Sequence, residues 1–221
     1  MLKAINHPYI NPYLGWSIID NEAQVFTFFC EQGSLHNRIY QNSSKPGLSD
    51  LNQIRTFTRQ IVSALMYLHS YGIVHRDIKP NNILLHNDEC RITDLGSVRI
   101  QQDCCGVSHQ KKISGTPAYC SPESIHNEIV YEAAAEDIWA LGCLIYEMVL
   151  GQIPWSECDN TFAIYFCLGN LKTNPDKNLL IEQLENSILD KSGLDFVKSC
   201  FTVDPIKRPT AHTLMTFDYL K

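Results

Sequence analysis

The spacing of apolar positions changes several times along the chain. Residues 13–19 and 24–30 are rich in aromatic and β-branched side chains that alternate or run together. Asp20-Asn21 lies between them, so the pattern predicts a strand hairpin. Ahead of it, residues 1–5 read as the tail of a helix, which the His7-Pro8 and Asn11-Pro12 pairs bring to a stop. Gly33-Ser34 breaks the strand pattern, and Ser34 is placed to cap a short helix over 35–40. The period then lengthens. Leu51, Ile54, Phe57, Ile61, Leu65 and Leu68 recur at steps of three and four, predicting a long amphipathic helix capped by Ser49 and closed by Gly72. Short strands are predicted at 83–85 and 90–93, either side of the polar turn 86–89. Residues 98–112 hold no period and read as a loop, and Pro122 opens a short helix. Residues 133–150 are apolar nearly all round, as in a helix at the middle of a domain, and Gly151 ends it. Further helices are predicted around 161–168, 193–200 and 211–220, the last capped by Thr210. The expected class is α+β: a strand hairpin, then a mainly helical body with one small hairpin inside it.

Composition narrows the class. With 44% hydrophobic and 19% charged residues, 221 positions are enough for one sizeable core or two small lobes. A net charge of -6 argues against a nucleic-acid-binding surface, which needs clustered Lys and Arg. Nine cysteines without paired CxxC spacing, and eight histidines without a zinc-like cluster, point to a reduced intracellular compartment. Cys143, Cys167 and Cys200 read as small apolar fillers. The most apolar stretch, 138–150, contains Glu147 and is too short to span a bilayer. No signal-peptide-like apolar stretch follows Met1. A soluble cytoplasmic protein is expected, with neither nucleic acid nor membrane as a partner.

The chemistry concentrates in residues 73–96. His75-Arg76-Asp77 is followed by Lys79 and Asn82, then by an apolar run, a turn and Asp94-Leu95-Gly96. Acids, an amide and an ammonium group on two loops flanking a short hairpin suit a triphosphate, its metal ions and an attacking hydroxyl. Taken singly each motif is weak: a histidine near an aspartate is most often a core residue beside a surface carboxylate, and Asp-Leu-Gly is usually a turn. Their order carries the signal. The same chain continues with Gly115-Thr116-Pro117, Ser121-Pro122-Glu123, Asp137-Ile138-Trp139 with Gly142, and Arg208-Pro209-Thr210.

With these motifs the chain resembles the eukaryotic protein kinase family over essentially all of its length. Lys79 after the His-Arg-Asp triplet, with Thr116 in Gly-Thr-Pro, resembles the serine/threonine branch. The wording of 67–85, 6–16 and 30–35 is similar to kinases at the head of mitogen-activated cascades. The resemblance implies ATP and Mg²⁺ as cofactors, a protein Ser/Thr hydroxyl as substrate and an upstream activating kinase as partner. It implies Asp77 as the group that accepts the hydroxyl proton, Lys79 as the neutraliser of the transferring phosphate, and Asn82 and Asp94 as Mg²⁺ ligands. The adenine would meet backbone at Phe28–Cys30, with Thr27 at the gatekeeper position and Leu84 supporting the ring above Leu144 and Met148. His75 would pack under Leu95 and bond backbone rather than act as a base; with Leu2 and Tyr13 these two would stack into a spine footed by Asp137. Glu123 and Arg208 would form a buried ion pair. Arg76 would grip a phosphate on Ser108 or Ser114, unless both are ordinary loop serines and Lys111 and Lys112 order the segment.

The resemblance also implies parts that the sequence lacks. There is no G-x-G-x-x-G and no Val-Ala-Ile-Lys-like strand. The expectation is a kinase domain lacking its N-terminal part, with residues 1–30 as a remnant of the small lobe and residues 31–221 as hinge and large lobe. Phe26, Phe28 and Phe29 are then expected to lose cover. The alternative is a catalytically inactive, kinase-derived binding module.

Overall fold

The computed structural model describes residues 5–100, 116–125 and 133–221. Leu2, Ser108, Lys111, Lys112 and Ser114 lie outside the described residues, as does the expected helix tail before residue 5. β1 (Tyr13–Ile19) pairs antiparallel with β2 (Glu22–Thr27) through the predicted Asp20-Asn21 turn. Both turn residues have positive φ, 51° and 63°, the conformation a two-residue hairpin needs and that Asp and Asn tolerate. The same solution recurs between β4 (Ile83–His86) and β5 (Glu89–Ile92), where Asn87 and Asp88 sit at φ 51° and 56°. Between the hairpins lie α1 (Leu35–Ile39), α2 (Leu51–Ser70) and β3 (Ile73–Val74), which pairs with β6 (Arg99–Ile100). The body continues through α3 (Pro122–Ile125), α4 (Ala134–Leu150), α5 (Thr161–Leu171), α6 (Leu179–Leu184), α7 (Lys191–Cys200) and α8 (Ala211–Leu214). Among the described residues, no helix is long and apolar enough to cross a membrane.

The core lies where α2 and α4 face each other and where the β4–β5 hairpin crosses α2. From α2 it takes Ile54, Phe57, Ile61, Leu65 and Leu68, and from α4 Ile138, Trp139, Leu141, Leu144, Ile145 and Met148, all buried. The chain between β2 and α1 is laid along β4: Leu85 donates to the Gly33 carbonyl at 2.9 Å, and Gln32 donates back to Leu85 at 3.3 Å.

The elements depart from expectation in four places. Asp50, not Ser49, caps α2, because its carboxylate accepts from Asn52 N–H at 2.9 Å. The last helix stops at Leu214 and a separate turn covers 218–220; the Thr216 hydroxyl bonds the Thr213 carbonyl at 2.7 Å, a local alternative to helix continuation. α6 has no strong apolar period and was not anticipated; it is set by its buried cap, Asn178. Phe28 keeps its cover, with Arg91 over its ring at 4.9 Å and His86 edge-on, whereas Phe26 and Phe29 are exposed.

Gly151 ends α4 at φ +63°, and a Cβ there would lie 2.3 Å from the backbone of Pro46. Gly15 in β1 has nothing within 4 Å of its Cβ position. Gly151→Ala is therefore expected to lower stability by more than about 1 kcal/mol, and Gly15→Ala to be neutral or to stabilise by about 0.4–1 kcal/mol. Urea midpoints of the two variants check this; equal midpoints would contradict it.

Candidate active site

Asp137, fully buried near the start of α4, organises the loop that follows β3. One carboxylate oxygen accepts from the His75 N–H at 2.8 Å and from the His69 imidazole Nε2 at 2.8 Å; the other accepts from the Arg76 N–H at 2.7 Å. Burial alone would raise this carboxyl. The hydrogen bond and charge of His69 and the His75 contacts outweigh it and hold the group below its usual range. Arg76 needs the anchor, because its φ of 68° is a strained backbone conformation for a side-chain-bearing residue. The Arg76 guanidinium turns back to α4 and lies 3.5 Å from Glu136.

His75 is wholly buried and bonds backbone on two sides: its Nε2 meets the Thr93 carbonyl at 2.9 Å, and its Nδ1 accepts from the Asp77 N–H at 3.3 Å. These partners select the tautomer with the proton on Nε2. The ring thus links the loop carrying Asp77 to the one carrying Asp94, leaving it no nitrogen for a reacting proton.

Asp77, Lys79, Asn82 and Thr116 converge on one carboxylate. The Lys79 ammonium lies 2.8 Å from Asp77 Oδ2, and Asn82 Nδ2 donates to the same oxygen and to the Asp77 carbonyl, both at 2.8 Å. The Thr116 hydroxyl donates to Asp77 Oδ1 at 3.2 Å and accepts from Lys79 at 2.8 Å. Thr116, marked in the sequence only by its Gly-Thr-Pro setting, is therefore in direct contact with the charged pair. With Asn82 Nδ2 committed to Asp77, its Oδ1 is left to accept a cation or proton donor. Asp94 is exposed at φ 60°, with one carboxylate oxygen accepting from the Gly96 N–H at 3.3 Å. Leu95, beside it, packs partly buried against the core.

The segment holding Thr116 is fixed from below. Arg208 makes a bidentate pair with Glu123, at 2.7 and 3.0 Å, and donates to the carbonyls of Thr202, Val203 and Ala135. Its guanidinium also lies over Trp139. With both partners almost wholly buried, removing either leaves an uncompensated charge at a cost of about 3–5 kcal/mol. The Tyr119 hydroxyl bonds the buried Glu147, which also accepts from Tyr40 at 3.0 Å. Burial pushes the Glu147 carboxyl up, against the pull of these phenols and of His36.

The other expected site residues lie on β1, β2, β4 and the segment that follows β2. Thr27 is exposed at the end of β2, Leu84 is half-buried in β4, and Cys30 is buried with its thiol toward the Asn11 side chain at 3.4 Å. Part of the backbone at 28–30 already has partners: Phe28 N–H donates to Pro12 at 2.9 Å, and its carbonyl accepts from Asn11 Nδ2 at 3.1 Å. Tyr13 is half-buried in β1. Sequence reasoning missed His69, Glu136, Asn11 and the Tyr40–Glu147–Tyr119 link. His69 falls at a partly buried position of an amphipathic helix, so nothing in its spacing marks it as a carboxylate partner.

The pattern of the family described as protein kinase domain matches residues 1–220. The chain is 33% identical to MAP kinase kinase kinase wis4 of Schizosaccharomyces pombe, over all of this chain and 16% of that protein. It is 32% identical to mitogen-activated protein kinase kinase kinase 2 of Arabidopsis thaliana, over all of this chain and 32% of that protein. It is 34% identical to the serine/threonine-protein kinase BCK1/SLK1/SSP31 of Saccharomyces cerevisiae, over 99% of this chain and 14% of that protein. The chain thus spans less than a third of the length of each of these relatives.

Asp137→Asn leaves one oxygen where the carboxylate offered two, so a buried backbone N–H loses its partner at a cost of about 1–3 kcal/mol near neutral pH. Because the Asp137 carboxyl is held low in the fold, the unfolded chain takes up the proton first as pH falls. The stability it contributes is present above the usual carboxylate range and is lost as pH falls through the folded value. Urea midpoints of the two proteins across pH should differ most near neutrality and converge in acid; a gap independent of pH would contradict this.

Proposed function

The chain belongs to the protein kinase family, and on that premise we propose that it is the catalytic part of a serine/threonine protein kinase that transfers the γ-phosphate of ATP to protein hydroxyls. The observation that carries the reading is the convergence of Lys79, Asn82 and Thr116 on the Asp77 carboxylate. Phosphoryl transfer asks little covalent work of a protein, so rate comes from placing the nucleophile and neutralising charge. Asp77 accepts the proton of the attacking hydroxyl and aims its oxygen. Lys79, 2.8 Å from Asp77, stands next to the transferring phosphate and offsets its charge. Thr116 holds both groups at that separation. Asn82 Oδ1 and the Asp94 carboxylate form a hard-oxygen donor set of the kind Mg²⁺ prefers. Bound there, Mg²⁺ would screen the phosphate charges.

Residues 1–30 are assigned to the small lobe and 31–221 to the hinge and large lobe, with adenine between Leu84 and the strand Thr27 ends. Free polar groups of 28–30 would read its edge. The names of the relatives support a MAP kinase kinase as protein substrate; a place in cytoplasmic signalling is part of the same proposal. Control by an upstream kinase acting at Ser108 or Ser114 would bring a phosphate to Arg76, where it would share the guanidinium with Glu136. A second reading, a binding module without catalysis, has on its side the open apolar face of β1, where Leu14, Trp16 and Ile18 are all more than 60% exposed.

Asp77→Asn in the full-length protein tests the choice. Phosphotransfer from radiolabelled ATP with Mg²⁺ is expected to fall by at least about a hundredfold, with ATP affinity changed by less than about twofold. A wild-type protein that binds its partners but transfers no phosphate would support the binding module. Equal transfer by both proteins would remove Asp77 from its proposed role.

A further inference from the structure

Seven cysteines fall among the described residues, and two differ from the rest. Cys30, Cys90, Cys120, Cys143 and Cys200 are buried, whereas Cys158 and Cys167 are half-exposed, with their sulfurs 3.7 Å apart. Cys167, expected as an apolar filler, packs partly buried against the core and also faces a second thiol. The contact is preorganised on both sides. Cys158 sits in the turn that follows the buried Trp155, its N–H donating to the Trp155 carbonyl at 2.9 Å. Cys167 is carried by α5, whose start is fixed by the Asn160 side chain accepting from Ala163 N–H at 3.0 Å.

We propose that Cys158 and Cys167 are a redox modification site that closes to a reversible intramolecular disulfide. The two sulfurs, already in van der Waals contact at 3.7 Å, must close to the bonded separation of about 2.05 Å. The co-reactant is a small disulfide such as glutathione disulfide. One protein thiolate attacks a sulfur of that molecule, forming a mixed disulfide and expelling one glutathione thiolate. The second protein thiolate then attacks the protein sulfur of the mixed disulfide and expels the other glutathione. Two protein thiols are oxidised and one glutathione disulfide is reduced to two thiols, which take up the two protons released. The second step is fast because its nucleophile is already in contact with its target.

Burial and the neighbouring Cys167, together with Glu157 and Asp159, push the Cys158 thiol up to about 11, so little of it is thiolate at neutral pH. Attack by Cys158 itself on a small disulfide is therefore slow. α5 packs against α3 and against the turn at 117–119. A bridge from the turn before α5 to Cys167, past its middle, would stiffen the wall next to Thr116. The chemistry does not depend on whether the protein transfers phosphate.

The full-length protein, equilibrated in buffers of rising glutathione disulfide content, is alkylated and analysed by mass spectrometry. Two thiols are expected to disappear together, and the intact mass before alkylation is expected to be lower by two hydrogen atoms. Cleavage before Asp159 should leave the peptide ending at Cys158 joined to the one containing Cys167, and dithiothreitol should restore both thiols. Cys158→Ser and Cys167→Ser should each abolish the bridge, with circular dichroism unchanged. A single persistent glutathione adduct, a bridge that maps to other cysteines, or both thiols surviving in fully oxidised buffer would overturn the proposal. Phosphotransfer can fail in the same preparation without altering any of these readings.

Discussion

A single buried carboxylate fixes the position of the chemistry. Asp137 stands on α4, the helix most completely enclosed by the core, and receives two consecutive backbone N–H groups and one imidazole. Hydrogen bonds to a charged group contribute about 1.5–3 kcal/mol each, enough to offset the strain of about 1–3 kcal/mol stored in a backbone such as that of Arg76. The loop adds packing of its own through the buried His75 and Ile78. It rests on the most rigid element of the body, and His75 carries the restraint across to Thr93 and the Asp94 turn.

The other half of the site depends on a second buried charge. Arg208 reaches from the chain's last quarter to Glu123, and all its donors are matched by carboxylate or carbonyl oxygens, which is why the pair tolerates burial. Tyr119 adds a bond to Glu147 on the same α4 that bears Asp137. Both walls of the site are thus fastened to one helix, and Thr116 meets Asp77 and Lys79 as a result. The contact between Cys158 and Cys167 lies on the next element outward, α5, where a change of redox state would be felt first by the Thr116 wall.

Much of this was legible in the residues. The steps of three and four in α2 and the all-round apolarity of α4 predicted the two central helices, and Asp-Asn and Asn-Asp pairs marked both hairpin turns, because few other residues accept left-handed backbone. The spacing Asp77–Lys79–Asn82 placed three groups within one turn, close enough to meet whatever the surroundings. What sequence could not supply were partners brought from afar. His69 reaches Asp137 and Tyr40 reaches Glu147 across the fold, and neither helix period nor motif encodes such a pairing. Local chemistry also overrode pattern: the Asp50 carboxylate displaced Ser49 as a cap. Cys167 packs against the core as its apolar stretch suggests, but that stretch carries no sign that it also faces another thiol.

The rest of the site depends on the anchoring of the Asp77 loop by Asp137, and amide hydrogen exchange reaches it directly. If the His75 and Arg76 N–H groups are held by the buried Asp137 carboxylate, they should exchange as slowly as the amides of α4, opening only with global unfolding. Exchange of these two amides at the rate of the exposed Asn42–Lys45 turn, in a protein whose α4 remains protected, would contradict it.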